Sequence, residues 1–146
     1  MNQGGRPAVL VVEDDPALLH LMEQMLASGG FDTVAAGKAT DGLAQVRQRQ
    51  GGFDLAILDI VMTGVSGLDL AGDLGREFPS LKILYISGFV GSLAAEALAC
   101  GSPERVLLKP FSEQELLDRV RLLVGIPPRC ESGQPLAPAV RGGTLG

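Results

Sequence analysis

One figure recurs along this chain and limits what it can fold into: a short apolar run, rich in β-branched residues, that halts at a polar residue. The first run, Ala8-Val-Leu-Val-Val12, stops at Glu13-Asp14-Asp15-Pro16. A continuous apolar run of this length is the pattern of a strand buried on both faces of a parallel sheet. Comparable runs cover residues 31–35 (the weakest), 54–58, 81–86 and 106–108. Between them apolar residues recur at helical spacing, as Leu18, Leu19, Met22, Met25 and Leu26, then Ala39, Leu43 and Val46, then Leu70, Leu74 and Phe78, and finally Leu116, Val120 and Leu123. Local signals bound these helices. Asp15 can cap the first with Pro16 in its opening turn, Gly29-Gly30 end it, and Ser112-Glu-Gln-Glu115 is a capping box. An Ala-rich stretch from Leu93 to Ala99 reads as a further short helix. Strand and helix alternate throughout, which predicts one parallel sheet covered by helices on both faces.

Residues 1–7 read as a short leader and 8–124 as the folded domain. Residues 125–146 hold four prolines, five glycines and no apolar period, the composition of a flexible tail. At 146 residues the chain suits one domain with a real core. No apolar run approaches the ~18 residues of a membrane span, and the MNQGGRP start lacks a signal-peptide pattern. A cytoplasmic protein with no membrane contact is expected. Twelve Lys+Arg against seventeen Asp+Glu leave a net charge of −5, which argues against nucleic-acid binding. Cys100, Cys130 and the single histidine, His20, are too scattered for a zinc site or a Ser-His-Asp triad. His20 reads as a surface residue, Cys100 as a packing residue and Cys130 as an exposed thiol. Chemistry here must run on carboxylates, hydroxyls and lysine.

In an open parallel sheet, ligands bind at the carboxyl ends of the strands. The first strand delivers Glu13 and Asp14 to that edge, the third Asp59, the fourth Ser87 and the fifth Lys109. Three carboxylates in one cleft repel unless neutralised, and Mg²⁺ with oxygen ligands does that. Carboxylates, Mg²⁺, a lysine and a hydroxyl around one point suit phosphoryl transfer, with an aspartate able to accept the group as an acyl phosphate. Each residue also has a plainer reading. Asp59 could be a solvated loop acid, the Glu13/Asp14 pair a helix cap and Ser87 a turn residue. Asp15 already fills the capping role, however, and Lys109 has little structural reason to follow a buried Val-Leu-Leu run.

LVVEDDP, LDIVMTGVSG, YISG and LLKPF, in this order and spacing, closely resemble the receiver domains of two-component response regulators over residues 8 to 124. The resemblance implies a flavodoxin-like, doubly wound α/β fold with a five-stranded parallel sheet of order 2-1-3-4-5 and five helices. It implies Asp59 as phospho-acceptor, Asp14 as a direct Mg²⁺ ligand, Glu13 acting through water and the Val61 carbonyl as a further ligand. Ser87 matches the switch hydroxyl, Lys109 the family lysine, and Pro110 the proline after it, whose bond is usually cis. Thr63 and Val106 depart from the pattern, standing where proline and an aromatic switch residue are usual. Val61 and Phe89 flank the acceptor and the hydroxyl; both are apolar and cannot orient a water, so slow self-dephosphorylation is expected. The implied partners are a histidine kinase or histidine phosphotransfer domain and a downstream protein, with a homodimer left open.

The implied role is a signalling module and not an enzyme. Its alternative is a degenerate receiver used as a docking platform. An aspartate-based phosphatase of the haloacid dehalogenase type is disfavoured, because Ile60 and Val61 follow Asp59 where a second acid is needed. No output domain is expected after residue 124. The chain reads as a single-domain regulator or a receiver cut from a longer protein, most like those of hybrid histidine kinases.

Overall fold

The computed structural model describes residues 6–60, 67–88 and 105–125. Their order is β1 (Ala8–Val12), α1 (Pro16–Ser28), β2 (Asp32–Ala36), α2 (Ala39–Gln48), β3 (Leu55–Asp59), α3 (Gly67–Glu77), β4 (Lys82–Ser87), β5 (Val106–Leu108) and α4 (Glu113–Val124). The strands form one sheet of order β2-β1-β3-β4-β5, parallel at every pairing, as expected. Four of the five expected helices are seen; the one read at 93–99 lies outside the described residues, as do Cys100, Cys130, residues 1–5 and residues 126–146.

Alternation along the strands divides the core in two. Leu10, Val12, Leu58 and Ile83 face α2 and α3, where Val46, Leu70 and Leu74 are buried. Val9, Val11, Ile57 and Leu84 face α1 and α4, where Met22, Leu26, Leu116 and Val120 are buried. Both central strands, β1 and β3, are buried along their whole length, which explains their unbroken apolar sequence.

Helix ends follow their local chemistry. The Asp15 side chain accepts the Ala17 amide at 3.1 Å, and Ser112 and Glu115 form the reciprocal capping box of α4. Gly30, at φ +91°, takes the left-handed turn that sends the chain from α1 into β2.

Three strands start and stop one residue later than the apolar runs suggest. The Phe31 and Leu81 amides donate back to Leu26 and Phe78, so these residues join the core before the ladder begins. At the far end the ladder runs through Asp59, paired with Ile86, and Ser87, paired with Leu108. Both polar residues are therefore held by strand backbone and not by a loop.

Candidate functional site

The carboxyl edge of β1 and β3 carries the site. Val12 lies beside Leu58 in the ladder, so the next residues, Glu13 and Asp59, come side by side at the end of the sheet. The Glu13 amide donates to the Ala36 carbonyl at 3.1 Å, which keeps the backbone in register one residue past β1. Glu13 and Asp59 are only 2% and 3% exposed, while Asp14 faces solvent. One carboxylate oxygen from each of the three lies within 4.8 Å of the others.

Lys109 reaches over from the end of β5. Its ammonium donates to Asp59 Oδ2 at 2.9 Å and stands 3.5 Å from Glu13 Oε1. The Lys109 amide is itself held by the Ser87 carbonyl at 2.8 Å, and the Lys109–Pro110 bond is cis, as the family pattern implies. Burial would lower the lysine's pKa, but the hydrogen bond to Asp59 and the charges of Asp59 and Glu13 raise it above its ordinary value.

Glu13 records how crowded the cleft is. Burial first, then the contact with Asp59 and its charge, push the Glu13 carboxyl up to about 7, against the pull of the Asp15 amide and Lys109. Its Oε2 accepts the Asp15 amide at 3.1 Å, whereas Oε1 is buried and accepts no hydrogen bond. The long 3.5 Å approach of the Lys109 ammonium compensates that buried oxygen only in part, and two further carboxylates beside it add repulsion. A small divalent cation with oxygen ligands corrects both defects, so Glu13, Asp14 and Asp59 fit Mg²⁺.

Ser87 is wholly buried at the end of β4, one residue beyond the partner of Asp59 in the ladder. Val61, Thr63 and Phe89 lie outside the described residues. His20 is exposed and away from this edge, as its sequence position suggests.

Two contributors were not legible as site residues. Asp15, read only as a helix cap, also holds Glu13 through its backbone amide. Gly67 opens α3 with its amide on the Ile60 carbonyl at 2.9 Å, and a Cβ there would lie 2.1 Å from the Asp59 carbonyl oxygen. Only glycine permits that approach. The one sequence hint was its place at the head of a helical period.

The comparisons agree with this geometry. The family described as response regulator receiver domain matches residues 9–121. The uncharacterized transcriptional regulatory protein YrkP of Bacillus subtilis is 34% identical over 113 residues, covering 77% of this chain and 47% of YrkP. The DNA-binding response regulator MtrA of Mycolicibacterium smegmatis is 32% identical over 117 residues, covering 80% of this chain and 50% of MtrA. The chain thus spans about half the length of the curated relatives it matches.

Among solved structures, a CheY-like receiver domain protein from Methanospirillum hungatei superimposes with TM-score 0.74 at 24% identity, over 83% of this chain and 95% of that one, and shows the fold. The response regulator TrrA from Thermotoga maritima, solved in complex with Mg²⁺ and beryllofluoride, gives TM-score 0.71 at 27% identity, covering 80% and 98%. A profile match over most of the chain, relatives above 30% identity and a sheet of the expected order converge: the chain belongs to the response regulator receiver domain family of two-component signalling.

Proposed function

We propose that Asp59 is the phospho-acceptor of this receiver. The observation that carries the reading is the Lys109 ammonium 2.9 Å from Asp59 Oδ2, beside a cluster of three carboxylates of which two, Glu13 and Asp59, are buried. A phosphohistidine on a histidine kinase or phosphotransfer domain would present its phosphorus to this edge. A carboxylate oxygen of Asp59 forms the new P–O bond while the P–N bond breaks and the imidazole leaves with its electron pair. Lys109, pinned through its amide, places a positive charge beside the acceptor, where negative charge gathers on the phosphoryl oxygens. The Ser87 hydroxyl would donate to one of those oxygens.

Mg²⁺ bound by Glu13, Asp14 and Asp59, with the Val61 carbonyl as a further ligand, would supply the positive charge that lets a phosphoryl group approach three acids. The TrrA complex with Mg²⁺ and beryllofluoride supports that assignment by analogy. The outcome is a shift in partner binding and not turnover of a substrate, with slow loss of the phosphoryl group because Val61 and Phe89 offer no water-orienting atom.

The relatives named for DNA binding are about twice the length of the matched stretch, and no nucleic-acid contact is assigned to this acidic chain. Residues 8–124 act as the receiver unit, with 1–7 and 125–146 as leader and tail. A cytoplasmic site of action belongs to the same reading; among the described residues no helix is long and apolar enough to cross a membrane.

Intact mass after incubation with a small phosphodonor and Mg²⁺ tests it. One phosphoryl adduct that disappears in Asp59→Asn and without metal is expected. No adduct on folded protein, while a control receiver labels, would overturn the reading in favour of the docking platform.

A further inference from the structure

The amino edge of β3 and β4 holds a hollow of about 320 Å³, at the opposite end of the strands from the acidic cluster. That size falls at the lower end of ligand-binding pockets, about 300–1,000 Å³. Phe53, Asp54, Ser80, Lys82 and, from the last turn of α4, Val124 form much of its wall. Two opposite charges stand there unanswered. Asp54 takes one backbone hydrogen bond, from Ala8, and neither Asp54 nor Lys82 has an ion-pair partner among the described residues. Asp54 immediately precedes Leu55, the ladder partner of Lys82, so the two backbones stand about 6 Å apart.

The chain leaves α4 at this hollow. Gly125, at φ +84°, closes the helix in the left-handed conformation, and Ile126-Pro-Pro-Arg-Cys-Glu131 follows in the sequence. At a maximum of about 3.6 Å per residue, Ile126 can stand no more than about 7 Å from Val124, and Arg129 no more than about 18 Å, which brings the hollow within reach of both. Two consecutive prolines favour an extended backbone. In an extended segment residues two apart, such as Arg129 and Glu131, face the same side about 6–7 Å from each other. Their charges are the opposites of those on Asp54 and Lys82, at a matching separation. Ile126 supplies an apolar side chain for the apolar part of the wall, Phe53 and Val124.

We propose that residues 126–131 of the same chain dock across this hollow, with Ile126 beside Phe53 and Val124, Arg129 on Asp54 and Glu131 on Lys82. Exposed ion pairs are individually weak, but α4 delivers the segment to the rim, and such tethering gives a weak contact a high effective concentration. Docked, the segment holds the chain beyond α4 against the end of the sheet opposite Asp59. The inference goes beyond the phospho-acceptor reading and does not depend on it.

Amide hydrogen exchange on the full chain, followed by NMR at Gly51 and Gly52 on the rim, tests it. A variant carrying Ile126→Ser, Arg129→Ser and Glu131→Ser leaves the folded domain untouched. It should exchange about threefold or more faster at these two amides, with the β1 amides unchanged. Lys82→Glu alone should act in the same direction, and Lys82→Glu combined with Glu131→Lys should restore the slow exchange. Equal rates at Gly51 and Gly52 in wild type and the triple variant would overturn the proposal, as would a charge swap that restores nothing. Slow exchange that is lost on dilution of the wild type would overturn it in favour of the same segment reaching over from a second copy.

Discussion

Strand β3 is bracketed by aspartates, Asp54 just before it and Asp59 at its end, and the two meet opposite surroundings. Asp54 is exposed at the amino edge of the sheet, where its Oδ2 accepts the Ala8 amide at 2.8 Å and its own amide donates to the Ala8 carbonyl at 2.8 Å. It ties the start of β3 to the start of β1. The hollow beside it, about 320 Å³ and lined in part by Gly51, Phe53, Ser80 and Lys82, gathers no second acid. Asp59 is buried beside Glu13, with the exposed Asp14 and Lys109 close by, and Oε1 of Glu13 has only the Lys109 ammonium, 3.5 Å away. Asp54 is satisfied by backbone, whereas Asp59 is answered by the side chain of Lys109. The amino edge ties two strands together, and the carboxyl edge gathers charge.

That contrast can be broken most decisively by exchanging the fates of the two aspartates. Asp59→Asn should abolish phosphoryl labelling altogether, whereas Asp54→Asn should leave it intact, both read by intact mass; labelling that survives in Asp59→Asn would remove the contrast. Gly67→Ala forces a Cβ onto the Asp59 carbonyl and should lower stability by about 2–3 kcal/mol in denaturant unfolding, with slower labelling. A wild-type midpoint for that variant would mean that α3 moves aside freely.

The third test is a pH series on metal-free protein. Glu13 keeps its proton to about 7 when folded, against 4.5 in the unfolded chain, so between those values the folded state binds more protons and stability falls as pH rises. The decline should be on the order of 2–3 kcal/mol across that window and should flatten above it. Mg²⁺ should stabilise more at pH 8 than at pH 5, because the ligand must shed that proton first. A flat profile in Glu13→Gln identifies the group; an unchanged decline in that variant would assign it elsewhere. The smallest effects belong to groups away from the carboxyl edge. Asp54→Ala and Ser112→Ala should each cost about 1 kcal/mol with normal labelling.

The parallel sheet and the placement of acids at its carboxyl edge were legible because two-sided burial forces unbroken apolar runs, and a polar residue can follow only where burial stops. The limits of β1 and β5 were read to the residue. The other strands shifted by one because the apolar pattern reports burial, whereas the ladder depends on where amides donate, and those of Phe31 and Leu81 donate backward. The weakly compensated Oε1 of Glu13 and the closeness of Gly67 to Asp59 depend on side-chain direction and on how α3 approaches β3. Neither leaves a mark in spacing.

Asp15 fastens two things at once: its side chain starts α1 and its backbone amide grips Glu13. Anyone grafting this acid pair onto another strand–helix turn would have to carry the helix start with it. An acid pair moved alone would arrive with both Glu13 oxygens unmoored, and one moved with Asp15 and Pro16 would bring its own anchor. The transferable unit is therefore the turn from Val12 to Ala17, not the two carboxylates.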